Sequence, residues 1–341
     1  MSSTDRAAFR PGTGWATGVG SLPHTDPGEA SAVVAGELPD LPHLPELPAR
    51  GPGADMVGRA AALLVDLHVD VQPSGWRLVD RPGLDERRAR GYLSHDLDEL
   101  EKACQGASGP VKLQVAGPWT TAAALRLPRG EPVLADPGAT RDVVASLTEG
   151  LAGHVADLRR RLPAAAPLLQ LDEPSLPAVL AGGISSTSGA RRFEPVAPAT
   201  AEAVLRSVVA ALDVPVLAHC CAARPPVSLL AAAGVAGVSL DLTTLSTELD
   251  DEIGAALDEG LALLAGLVPA LPAHGGGLSS ATGTVEPVRR LWHRLGLPSE
   301  GLRQVVVTPT CGMAGATPAH AVAALRLATA AARQLADDPE G

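Results

Sequence analysis

Short apolar runs alternate along the chain with longer Ala/Leu/Arg-rich stretches whose apolar positions recur at helical spacing. Such runs read as buried strands, and the stretches between them as helices that cover the strands. Eight runs qualify: 15–20 (WATGVG), 43–48 (HLPELP), 111–117 (VKLQVAG), 168–172 (LLQLD), 214–220 (VPVLAHC), 235–241 (VAGVSLD), 261–267 (LALLAGL) and 304–309 (QVVVTP). Helices are predicted over 54–69, 138–162, 199–212, 225–233, 247–259 and 284–295. A closing helix over 317–336 is marked by Thr317-Pro318, a capping residue followed by proline at the first helical position.

Strands and helices in alternation predict parallel βα units. The expected fold is α/β, a single (β/α)8 barrel over 14–336 with 1–13 as a loose N-terminal arm. Active sites in such barrels lie at the C-terminal ends of the strands. Prolines 42, 45 and 48 make the second run the least regular. The stretch 70–98 reads as an irregular insertion. Two Gly/Ser-rich loops, 182–190 and 275–284, are expected over the barrel mouth, as connectors or as a substrate lid.

Composition narrows the class. Hydrophobic residues make up 46% of the 341 residues and aromatic ones only 2%, so the core must be built from Ala, Leu and Val. The net charge is −11, and Lys102 and Lys112 are the only lysines, which argues against nucleic acid or an anionic membrane surface as partner. No signal peptide is expected, and no apolar stretch approaches the roughly 20 residues of a membrane span. Of the four cysteines, Cys220 and Cys221 are adjacent, unlike a secreted disulfide framework, so a cytoplasmic location is expected.

The chemistry gathers at predicted strand ends. His219 and Cys221 are two residues apart, so a regular strand points both to one face, and Cys220 to the other as a small buried hydrophobe. Cys311-Gly312 follows the last strand, and Asp241 ends the sixth. Imidazole, two thiolates and a carboxylate make a zinc ligand set. Singly, each has a plainer role: His-x-Cys as packing, Asp241 as a helix cap. Together they predict a thiolate-rich zinc site suited to binding a sulfur substrate. Asp172, in Asp172-Glu173-Pro174 after the fourth strand, is placed to hold an ammonium or act as a base; the alternative is capping. Ser21, among the glycines ending the first strand, is placed to receive a substrate carboxylate. Trp119, ending the third, serves as an aromatic wall or as core packing.

Taken in order, GVGSLPHT, VAGPWT, LLQLDEPSLP, LAHCC, GVSLD and VTPTCG resemble the C-terminal catalytic barrel of cobalamin-independent methionine synthase, over about 15–336. The resemblance implies a (β/α)8 barrel of the methionine synthase/uroporphyrinogen decarboxylase type. It implies methyl transfer from a folate to the thiol of homocysteine on zinc. The family's zinc ligands fall on His219, Cys221, Asp241 and Cys311, with Asp241 where the family has Glu. Its homocysteine residues fall on Ser21 and on Asp172, which holds the substrate amino group.

Three departures matter. The family's folate-binding N-terminal barrel has no counterpart in this sequence, which leaves the donor open between a folate and a corrinoid, free or on a carrier protein. The glutamate that follows the family's D-M-V run is Gly58 here, after Asp55-Met56-Val57, with Glu46 as a substitute. The family's acid histidine is matched, at different spacing, by His274. Two other readings remain open at this stage: a non-catalytic zinc-binding barrel, and a metal-free decarboxylase.

Overall fold

The structure, a computed structural model, describes residues 9–272 and 277–341. Its centre is a curled six-stranded parallel sheet. The strands are β3 (Pro110–Ala116), β4 (Ala166–Asp172), β5 (Val216–Cys220), β6 (Gly237–Asp241), β7 (Ala262–Val268) and β8 (Val306–Pro309), paired in sequence order. The two strands before them, β1 (His68–Gln72) and β2 (Gly75–Val79), form a separate antiparallel hairpin. The helices are α1 (Pro27–Glu37), α2 (Met56–Leu63), α3 (Leu84–Ala103), α4 (Pro118–Ala124), α5 (Pro137–Arg161), α6 (Leu176–Leu180), α7 (Pro198–Ala211), α8 (Val227–Ala233), α9 (Asp250–Asp258), α10 (Ala281–Leu295) and α11 (Pro318–Asp337).

The expected first two barrel strands are not regular strands. Segment 15–21 makes one bridge to β8, Ala16 with Val307, and one to segment 43–46, Ser21 with Glu46; His43 then bridges to Lys112 of β3. Pro42 and Pro45 cannot donate, so the second segment is held by alternate amides: Leu44 N–H to Lys112 O at 2.9 Å and Glu46 N–H to Gly20 O at 3.1 Å. The stretch 70–98, expected to be irregular, carries most of the hairpin and of α3. That helix buries only a thin stripe including Leu93, Leu97 and Leu100, which is why its charged sequence hides it.

Strand register positions the site. One row across the sheet runs Ala116, Asp172, His219, Ser239. Alternation puts Leu168, Gln170 and Asp172 on one face of β4, and Leu217 and His219 on one face of β5. The interior therefore changes character from floor to mouth. At the floor, Leu168, Leu217, Leu264 and Val306 cluster with Leu41 and Phe9. Phe9 is buried and lies 6.4 Å from Trp15 between ring centroids, so this residue of the expected loose arm is packed. On the outside, α11 presents Ala321, Ala324, Ala328 and Ala331, small residues that let a helix lie close to its neighbours. Among the described residues no helix is long and apolar enough to cross a membrane.

Candidate metal centre

His219 ends its strand's inward face, and Cys221 comes one residue after β5. Cys311 lies two residues beyond β8. Their ligating atoms all lie within 4.8 Å of one another, and the two sulfurs are 3.2 Å apart. Gly312 leaves room for the Ser21 hydroxyl beside the Cys311-Gly312 turn: a Cβ there would lie 2.2 Å from Ser21 Oγ and would push that hydroxyl aside. His219 Nδ1 is 3.0 Å from Ser239 Oγ, while its Nε2 is buried with no hydrogen-bond partner. A buried imidazole nitrogen seldom goes unpaired. With one ring nitrogen anchored and the other bare beside two sulfurs, the residues fit a zinc ion in donor type and in the contact to Ser239 that orients the ring. The Cys311 thiol is pulled well below its ordinary value, chiefly by its sulfur–sulfur contact with Cys221 and also by the nearby His219 ring, and Cys221 is pushed up by the same contact. Cys220 is fully buried, and burial pushes its thiol up to about 11, as suits a packing residue.

Asp241 does not join this group. Its Oδ1 accepts from Thr243 N at 2.9 Å and Thr243 Oγ1 at 2.6 Å. A short carboxylate at a strand end is well placed to close such a turn on its own loop. Three protein atoms converge where sequence reasoning expected four.

Asp172 and Glu46 are both buried. Desolvation raises the Asp172 carboxyl against the opposing pull of His219, Lys112 and Gln170, and raises Glu46 to about 7 against Arg59. Gln170 Nε2 donates to Asp172 Oδ1 at 2.7 Å, and Gln114 Nε2 reaches Glu46 Oε1 at 3.4 Å. Arg59 Nε lies 3.7 Å from Glu46 Oε1, and its Nη1 donates to Asp96. The Gly58 departure has a steric basis. A Cβ at position 58 would lie 2.7–2.8 Å from Gly53 and from Asp55 Oδ2, which leaves no room for a side chain. Ser21 stands beside Gly312, and its carbonyl accepts from Met313 N at 2.8 Å.

Trp119 is core packing. Its indole is buried, and Nε1 donates to Ala201 O at 3.1 Å, so it forms no wall at the mouth. Glu173 caps α4, accepting from Trp119 N, Thr120 N and Thr120 Oγ1 at 2.8–2.9 Å. His274 lies outside the described residues. Sequence reasoning missed Lys112, Gln170, Gln114, Arg59 and Ser239. The signal was present in two runs: a lysine or glutamine on the inward face of a strand must find partners inside the barrel.

A comparison with curated protein sequences finds no match. Among solved structures the fold is similar to that of a B12-independent methionine synthase from Shewanella sp. W3-18-1 in complex with selenomethionine. The TM-score is 0.59 at 12% sequence identity, over 94% of this chain and 97% of that one. The sequence itself matches the family described as the catalytic domain of cobalamin-independent synthase over residues 15–334. That match spans nearly the whole chain, and the chain accordingly belongs to this family of methyltransferases acting on homocysteine.

Proposed function

We propose that the chain methylates the thiol of homocysteine at a zinc ion held by His219, Cys221 and Cys311, in a barrel closed to (β/α)8 form by segments 15–21 and 43–46. The observation that carries this reading is the convergence of one bare imidazole nitrogen and two sulfurs at the strand ends. Zinc bound there supplies a thiolate at neutral pH from a thiol whose ordinary pKa is about 8.5. Three protein ligands leave a fourth position open to that sulfur, as in catalytic zinc sites generally.

The remaining residues orient the amino acid. Asp172 stands beside His219 in the ladder, one inter-strand step or roughly 4.8 Å away. The three carbons between the sulfur and nitrogen of homocysteine can bridge that step. Asp172 takes the ammonium, with Glu46 as the second carboxylate in place of the side chain that Gly58 lacks. Ser21, beside the Cys311-Gly312 turn, takes the carboxylate group. The methyl comes from a folate or a corrinoid, and His274 is the acid in the folate case.

X-ray absorption on the protein as purified should find zinc with two sulfur neighbours. Zinc-loaded protein with homocysteine should form methionine from one of three labelled donors: mono- or triglutamyl methylfolate, or methylcobalamin. A metal without sulfur neighbours, or no methionine from any donor, overturns the reading.

A further inference from the structure

The barrel interior holds a lysine that no step above uses. Lys112 is the third residue of β3 and is wholly buried. Removing an ammonium from water is costly unless it is paired and fully hydrogen-bonded. Its Nζ donates to Gln170 Oε1 at 2.8 Å and to Val19 O at 2.9 Å. An ammonium can only donate, so it fixes which end of the Gln170 amide faces it. The amide nitrogen must then point the other way, and it does: Nε2 donates to Asp172 Oδ1 at 2.7 Å and to Val19 O at 3.0 Å. One oxygen of Asp172 is thereby consumed. The one side-chain donor to Asp172 seen among the described residues goes to Oδ1, so Oδ2 is left to accept.

The geometry points to Lys112 as a positioning residue for the amino-acid end of the substrate: through Gln170 it sets the direction of Asp172, and through Val19 it holds the segment that ends in Ser21. This rests on the reading of Asp172 as the ammonium acceptor. The Val19 carbonyl receives both Lys112 and Gln170, so one buried cation ties together the two groups assigned to the two ends of the amino acid. Charge supports the same role. Burial pulls the Lys112 ammonium down to about 8, and Asp172 and Glu46 hold it up. The lysine in turn favours the ionised form of both carboxylates.

The test is calorimetric titration of zinc-loaded protein with L-homocysteine and, in parallel, with propanethiol, which has the thiol but neither charged group. Lys112→Met should weaken homocysteine binding about tenfold or more, the scale of a lost charged hydrogen bond, and leave propanethiol binding and zinc content unchanged. Gln170→Glu keeps an acceptor for Lys112 but removes the donor to Asp172, and should show the same selective loss; it decides the matter where Lys112→Met does not fold. Asp172→Asn runs alongside. If Asp172→Asn weakens both ligands equally, the ammonium reading fails. If Asp172→Asn is selective while Lys112→Met and Gln170→Glu leave homocysteine binding intact, or weaken both ligands equally, the positioning role alone is overturned.

Discussion

The two sides of the barrel mouth are built on opposite principles. On the side formed by β5, β6 and β8, the polar atoms are under-satisfied: His219 Nε2 is bare, and the sulfurs of Cys221 and Cys311 have chiefly each other. On the side formed by β3, β4 and the two bridge-forming segments, opposite charges are buried in pairs, although Arg59 Nη2, Gln114 Oε1 and both His43 ring nitrogens lack hydrogen bonds there. Lys112 is paired through Gln170 to Asp172, and Arg59 lies between Glu46 and Asp96. The first side is incomplete without a ligand. The second has its charges paired before any ligand arrives, which lowers the cost of binding. The contrast predicts that substitutions on the metal side cost function with little stability, and that those on the amino-acid side disturb the fold and its pH response.

The largest effect is expected at Cys311. Cys311→Ser should lose most bound zinc and all methyl transfer while circular dichroism and melting temperature stay close to wild type, because the residue is half-buried on a loop beyond β8. Global unfolding would break the comparison by making the metal side structural. Next comes Gly58→Glu, which restores the family's carboxylate. With its Cβ 2.7–2.8 Å from Gly53 and Asp55, the variant should lose about 3 kcal/mol in denaturant unfolding and gain no affinity for homocysteine. Unchanged stability would show that the 53–55 turn yields.

The smallest effect is a pH slope. Burial raises Glu173 to about 7, against its three hydrogen-bond donors. A carboxyl whose folded-state value exceeds its unfolded value keeps its proton when the unfolded chain has lost it. Its contribution is therefore full below about 4.5 and is lost as pH rises towards about 7. Glu173→Gln cannot titrate and should flatten that part of the stability curve, on the order of 2 kcal/mol between pH 5 and pH 7. Parallel curves for the two proteins would remove Glu173 from the pH response.

The same contrast explains what could be read from the sequence. Strands β3 to β8 announce themselves as apolar runs bounded within two residues of their observed limits, because burial on both faces demands such runs. His219, Cys221 and Cys311 stand out as metal-binding residue types at strand ends. Asp241 is drawn into the same set by its type, but whether a carboxylate reaches inward or folds back on Thr243 is decided by local turn geometry. The matched side is less legible. Segments 15–21 and 43–46 form isolated bridges, the second of them around prolines, and α3 is too charged to show its stripe. Lys112 and Gln170 interrupt apolar runs, and their meaning depends on a neighbour far away in the chain.

The bridge between Ala16 and Val307 also bears on how the molecule is made. Segment 15–21 is synthesised long before its β8 neighbour, with all the other strands between them. Contacts of such long range are slow to form. Until then the segment carrying Ser21 has one flank uncovered, and the fold cannot close around the amino-acid side. Chain connectivity thus makes closure around Ser21 wait for β8, whatever the order in which metal is delivered.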